Sequence, residues 1–209
     1  MINLLLIKNN LSFRAMYLDT FAPMLAKRLL PENTLAITEA GRIAYWSQSR
    51  VEDMHGLNTY ETAVRPPNDD YMERMHPDFM MFQHDGTIDT KVWCCEKDKA
   101  YIPITTGQMK SALMPEYREI FERGLNRYQD SKINREKIVP VLLERYLSRH
   151  PEYDLYLVLN KSRHRFLNYW HLYALRQDLP QKAAILEDLE KAEKGFYQSY
   201  AKLKGFPFS

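Results

Sequence analysis

Apolar and polar positions change period several times along the chain, and each change marks an element. Phe21, Leu25, Leu29 and Leu30 recur at helical spacing, with Asp19 or Thr20 as N-cap and Pro23 in the first turn, which predicts a helix over 19–30. Pro31 and Asn33 end it, and Thr34–Thr38 follows as a buried strand of β-favouring residues. Gly41 is expected to turn the backbone sharply after that strand. Ile43–Trp46 reads as a turn of helix whose aromatic residues pack beneath the sheet, and Arg50–Met54 as a second strand that stops at Gly56. The stretch 56–69 carries Asn58, Pro66, Pro67 and Asn68 and predicts turns, with one helical turn near Thr62. A short helix over Asp70–Met75, capped by the preceding acidic pair, leads through Pro77 into Asp78–Gln83, an apolar run typical of a strand covered on both faces.

Further on, Gly86–Trp93 reads as an exposed strand with Tyr101–Thr106 as its partner. Pro115–Tyr128 places Tyr117, Ile120, Phe121 and Leu125 on one face of a helix, and Ile133–Arg149 is a second helix interrupted by Pro140. Tyr153–Leu159 alternates at a period of two, as Phe166–Leu175 does more loosely. The turn over Asn160–Arg165 therefore predicts a hairpin at the sheet edge, with a helix over Phe166–Gln177 as the alternative. Asp178–Lys204 is a charged helix with Pro180 in its first turn and a narrow stripe of Ala184, Leu186, Leu189, Ala192 and Phe196, suited to loose packing or to self-association through 178–204. These elements predict an α/β fold: a small, mostly parallel sheet with flanking helices and right-handed crossovers, a C-terminal β-hairpin and a long C-terminal helix. The layout is an N-terminal segment 1–18, an α/β domain 19–177 and a helical extension 178–209. There is no internal repeat and no linker rich in Gly and Ser.

Composition narrows the function classes. With 209 residues, 45% apolar and 27% charged, the chain can bury a proper core and is not a disordered sequence. Lys+Arg 29 against Asp+Glu 27 leaves a formal charge of +2, which gives no footing for a nucleic-acid partner. The apolar run Met1–Ile7 falls short of the roughly 20 residues a membrane helix requires and lacks the basic flank of a secretion signal. Read with Met1 as the true start, the chain is a cytoplasmic protein.

Candidate chemistry is sparse. Gly41, Gly56 and Gly86 are isolated, so no phosphate-binding loop and no nucleotide cofactor are expected. Cys94 and Cys95 are adjacent, which strains a disulfide and lacks zinc or redox spacing. Ser47, Ser49 and Ser111 lack a nucleophile elbow, and Tyr60, Tyr71, Tyr117 and Tyr128 read as packing residues. Asn160-Lys161-Ser162 fits a glycosylation acceptor pattern that matters only in a secreted chain. One constellation has chemical potential: His55, His76 and His84 with Asp53, Asp78 and Asp85, all near strand ends, although a histidine beside a turn is more often a cap or a surface group. No catalytic residue, metal ligand or cofactor is assigned on this basis.

A family resemblance carries more. The stretch 30–78 contains, in order, Leu30-Pro31, Asn33-Thr34, Glu39-Ala40-Gly41, Ile43-Ala44-Tyr45, Asp53 with Gly56-Leu57-Asn58, Thr62-Ala63 and Pro77-Asp78. This series resembles the soluble, extracytoplasmic C-terminal domain of membrane glycosyltransferases that use polyprenyl-phosphate sugars, including the arabinofuranosyltransferase-like group. In that family the chemistry resides on a loop of the membrane region, which this chain lacks. The resemblance therefore implies a non-catalytic accessory domain on the extracytoplasmic face. Its expected partners are a glycan or lipid-linked sugar acceptor, or the membrane-embedded portion of a parent protein, and Glu39, Tyr45, Asp53, His55 and Asn58 are the candidate binding residues. The same residues also have an architectural reading, in which Asp53 bonds loop amides and Gly56 takes a positive φ. His55 and the long C-terminal helix depart from the family pattern. The alternative is a stand-alone cytoplasmic enzyme that acts on a small polar substrate through Asp53 and His55.

Overall fold

A computed structural model of the chain describes residues 18–38, 40–56, 59–84, 100–124, 135–159 and 170–203. In chain order the elements are α1 (Leu18–Arg28), β1 (Thr34–Ile37), α2 (Ala40–Trp46), β2 (Arg50–Asp53), α3 (Tyr60–Val64), α4 (Asp69–Met75), β3 (Phe79–His84), β4 (Ile102–Ile104), α5 (Thr106–Arg123), α6 (Arg135–Arg149), β5 (Tyr153–Leu159), β6 (Trp170–Arg176) and α7 (Lys182–Leu203). The fold is α/β, with one six-stranded sheet in the order β2-β1-β3-β6-β5-β4. β1 pairs in parallel with both β2 and β3, whereas the β3/β6, β6/β5 and β5/β4 pairs are antiparallel.

Strand alternation sorts the apolar residues into two cores, one on each face of the sheet. Met80 and Phe82 of β3, Leu155 and Leu157 of β5, and Leu172 and Ala174 of β6 face a layer made by α4, α5 and α6. Phe79 and Met81, Tyr156 and Val158, and Tyr173 and Leu175 face the opposite layer, made by α1, α2 and α7. Three layers result, and the expectation that Asp78–Gln83 is covered on both faces holds. The expected antiparallel pair of C-terminal strands also forms, its connecting turn lying outside the described residues, and Trp170–Arg176 is strand, not helix. It lies inside the sheet and not at its edge: β6 pairs with β3, because its Tyr173 and Leu175 continue the apolar surface of Phe79 and Met81. The expected strand Gly86–Trp93 lies outside the described residues. Ile102–Ile104 is an edge strand on β5, where Pro103 is tolerated.

Several elements depart locally from their sequence reading. Gly41 lies within α2 and is not a sharp turn. Tyr45 and Trp46 point outward, 79% and 53% exposed, because the last turn of so short a helix runs past the sheet and only Ala40 and Ile43 face the core. The cap of α4 is Asn68, whose side chain accepts from the Tyr71 amide, and not an acidic residue. α5 begins nine residues before Pro115, at a capping box in which Thr105 and Gln108 bond reciprocally, so its buried face is Met109, Leu113, Tyr117 and Ile120. α6 runs through Pro140.

The C-terminal helix is firmly packed. Of its predicted stripe, Leu189 and Ala192 are buried and Leu186 packs partly buried against the same core, Ile185 is buried beside them, and the side chain of Phe196 lies outside the described residues; the stripe lies against α1. Asp188, almost fully buried, accepts two bonds from Arg28 of α1, 2.7 Å to Nε and 3.2 Å to Nη2. Leu189→Ala is expected to cost about 2–5 kcal/mol in chemical denaturation. Glu187→Ala, on the exposed face, should stay within about 0.5 kcal/mol.

Candidate functional site

The connections of the parallel strands leave the sheet on opposite faces. β1 leads into α2, which packs in one core, and β2 leads on to α4, which packs in the other. The C-terminal ends of adjacent strands whose connections diverge in this way, here β1 and β2, are the usual ligand position of an open α/β sheet. Asp53 and His55 stand there. Asp53 is 1% exposed, and its carboxylate accepts the His55 amide at 2.9 Å. Its own amide donates to the Thr59 hydroxyl at 2.8 Å, and its carbonyl accepts from the Thr62 hydroxyl at 2.6 Å. Gly56 adopts φ 79° in the same turn. These bonds lock a loop, so the architectural reading of Asp53 and Gly56 has a direct geometric basis. Tyr45 is exposed on the last turn of α2, and Glu39 and Asn58 lie outside the described residues.

A buried polar group that the sequence reading overlooked sits near the same end. His171 of β6 is fully buried and opposes Gln83, with 3.2 Å between Nε2 and the Gln83 side-chain oxygen. The backbone N–H of Gln83 in turn donates to the Thr38 hydroxyl at the end of β1. Burial, aided by the positive charge of Arg42, pushes the imidazole down to about 3.

The other end of the sheet carries a denser cluster. The constellation of His55, His76 and His84 with three aspartates does not assemble: His55 follows β2 at one end, whereas His76 and Asp78 precede β3 at the other. Asp85 and the side chain of His84 lie outside the described residues. His76 meets residues from α6 and β5 instead. Its Nδ1 lies 2.9 Å from the Tyr146 hydroxyl, which lies 3.3 Å from the Tyr153 hydroxyl, which donates to the Pro77 carbonyl at 2.5 Å. Burial raises both tyrosines, so both hydroxyls keep their protons. The chain then has one direction. Tyr153 donates a hydrogen bond to the Pro77 carbonyl, Tyr146 donates to Tyr153, and the Tyr146 oxygen accepts from Nδ1–H of His76.

His150, stacked on Tyr146 with ring centres 4.1 Å apart, lies between two carboxylates. Nδ1 is 2.7 Å from Glu152 and Nε2 is 3.0 Å from Glu73. Carboxylates only accept, so both ring nitrogens carry protons when both bonds are made. Glu73 titrates below the ordinary glutamate value: burial pulls it upward, but the bonds from Arg149 and His150 outweigh that. Glu152 behaves likewise, its burial outweighed by its own backbone bond and by His150. His76, a C-cap at φ 40°, is the one non-glycine residue with positive φ among those described. His76, His150 and Glu152 each bring one potential ligand atom within 4.8 Å of the others. A cleft of about 520 Å³ opens beside them, lined in part by His150, Tyr153 and Thr105.

One signal for this cluster was present in the sequence. His76-Pro77-Asp78 and His150-Pro151-Glu152 are the same His-Pro-acid tripeptide, each placed where a helix passes into a strand.

Residues 10–129 match a family described as a domain of unknown function, DUF8728. The chain belongs to that family. The DUF8728 segment spans α1 to α5 and so includes the β2-β1-β3 half of the sheet, Asp53 and His76, but stops before His150 and Glu152. No curated protein and no solved structure matches the chain. No helix among the described residues is long and apolar enough to cross a membrane.

His171 generates a pH prediction. Its folded value lies below the unfolded value of 6.5, so between 6.5 and about 3 only the unfolded chain takes up the proton. Stability must therefore fall as pH drops through this window, by at most about 1.4 kcal/mol per unit from this group. Denaturant titrations of His171→Gln at pH 7, 6, 5 and 4 should show a shallower acid limb than the wild type.

Proposed function

We propose that this chain is a non-catalytic binding domain that takes a carbohydrate on the aromatic pair at the end of α2. The observation that carries the reading is the exposure of Tyr45 and Trp46, whose rings meet edge to face with centres 5.2 Å apart. Large aromatic surface left in water recovers the cost of its exposure when an apolar face covers it, and the C–H face of a sugar ring is such a surface. The next residues, Ser47, Gln48 and Ser49, supply hydroxyl and amide groups of the kind that sugar hydroxyls require. Ser49 donates to the Leu30 carbonyl at 2.7 Å, which ties this turn to the end of α1 and holds the platform in place.

The resemblance of 30–78 to soluble domains of polyprenyl-phosphate-sugar glycosyltransferases supports a sugar as the occupant, since Tyr45 belongs to the shared pattern. On this reading the domain serves at the extracytoplasmic face of a membrane, holding a glycan or lipid-linked acceptor for chemistry performed by a membrane-embedded partner. The enzyme alternative has less support, because the carboxylate of Asp53 is buried and engaged in its own loop.

Soluble oligosaccharides, arabinofuranosides among them, should shift the indole resonance of Trp46 in a nitrogen-15 NMR titration. Trp46→Ala should weaken binding at least tenfold, about 1.4 kcal/mol, with unchanged thermal stability. Binding of a protein partner and of no sugar through the same pair would replace the carbohydrate reading with a protein interface.

A further inference from the structure

We propose that His76, His150 and Glu152 form a binding site for a divalent transition-metal ion, with zinc(II) as the reference cation. Two imidazoles and one carboxylate are a donor set suited to zinc and its neighbours, with a position left open for water or another ligand. Their ligand atoms already lie within 4.8 Å of one another. Bound zinc, at about 2.0–2.2 Å from each donor, would set them roughly 3.3 Å apart, so His76 would move inward and the 2.7 Å contact between Nδ1 of His150 and Glu152 would open as the ion replaces its proton.

The surroundings favour ligation over a simple ion-paired turn. A ligating histidine is normally held through its other nitrogen by an oxygen acceptor, which sets its tautomer and aim. Both histidines have such a partner. The Tyr146 hydroxyl accepts from Nδ1–H of His76, and the neutral ring then keeps its lone pair on Nε2. Glu73 lies 3.0 Å from Nε2 of His150, so a cation can replace the proton at Nδ1 and share Glu152 with it. Tyr146 serves both rings, bonding one and stacking on the other. The C-terminal end of α6, a helix of 15 residues, reaches the cluster at His150, and the partial negative charge there favours a cation. His76 is held at a positive φ, a conformation that the fold maintains against its intrinsic cost.

Zinc(II) calorimetry and cobalt(II) absorption on the chelator-treated full chain test the proposal. One ion per chain is expected, with Kd on the order of micromolar or tighter and a d–d spectrum without a thiolate charge-transfer band. His76→Asn, which tolerates the left-handed backbone, and Glu152→Gln should each weaken binding at least tenfold, whereas His55→Ala should leave it unchanged. Cooperative thermal unfolding of each variant certifies its fold, and the two ligand variants act on different elements, so one folded variant suffices. Failure to bind zinc(II) up to millimolar concentration, binding unaltered by a folded ligand variant, or a thiolate band that places the ion on Cys94 and Cys95 would each overturn the proposal.

Discussion

Asp78 joins the two halves of this protein. Its side chain accepts the Thr34 amide at 2.9 Å and pairs with Arg176 at 3.1 Å, and its backbone bonds both strands as well, donating to Thr34 and accepting from Arg176. Thr34 opens β1, the centre of the parallel half, and Arg176 closes β6, the inner strand of the antiparallel half. Among the described strands β3 alone pairs with both, and the two directions of pairing place different demands on its backbone. A half-buried carboxylate at its first turn satisfies amide and guanidinium donors from both sides, where a break in one ladder would otherwise leave them facing a partly dry sheet edge. The register of β3 against β6, from Phe79 opposite Leu175 to His84 opposite Trp170, starts from this point.

Once β6 is inserted beside β3, the rest of the N-terminal edge of the sheet follows. β6 is antiparallel to both β3 and β5, so β3 and β5 run in the same direction and begin on the same side. Each is preceded by a helix on the same face, α4 or α6, and each helix passes into its strand through a His-Pro-acid turn. The topology thus brings together two copies of one local turn, separated by a single strand. His76 and His150 come within 5.7 Å between ring centres although they stand 74 positions apart in the sequence, 150 − 76.

This also accounts for what the sequence disclosed. Period-two alternation in Tyr153–Leu159 and the continuous apolar run before Gln83 express whether a strand has one or two covered faces, a property local to the strand. Insertion of the hairpin beside β3 depends on the match between Tyr173 and Leu175 of β6 and Phe79 and Met81 of β3, and no window of a dozen residues contains that information. Short helices are misread for a related reason. In α2 only two positions can reach the core, so a pair of aromatics beside them looked like packing residues, although they lie past the edge of the sheet. Asp53 and Gly56 were legible because both act within a few residues of themselves. His150 and Glu152 were not, since their relation to His76 exists only in the folded sheet.

The two ends of the sheet have opposite electrostatic character. At the C-terminal ends of β1 and β2 the following helices are seven and five residues long, too short to present much of a positive dipole, and the loop donors are already bonded around Asp53. The nearby buried group, His171, is held neutral by its burial. At the N-terminal ends of β3 and β5 a long helix arrives carboxyl end first, and Asp69, Glu73, Glu152 and Asp78 gather among Arg145, Arg149 and Arg176. Asp78 and Arg176 join strands, but the partly exposed pairs of Arg145 and Arg149 with Asp69 and Glu73 contribute little to stability, so the rest of the charge there is poorly explained as a device for holding the fold. The imidazoles are the members of the group that a packing argument accounts for least. They are oriented by hydroxyl and carboxylate partners, and they stand at the end of the sheet where the C-terminus of α6 arrives.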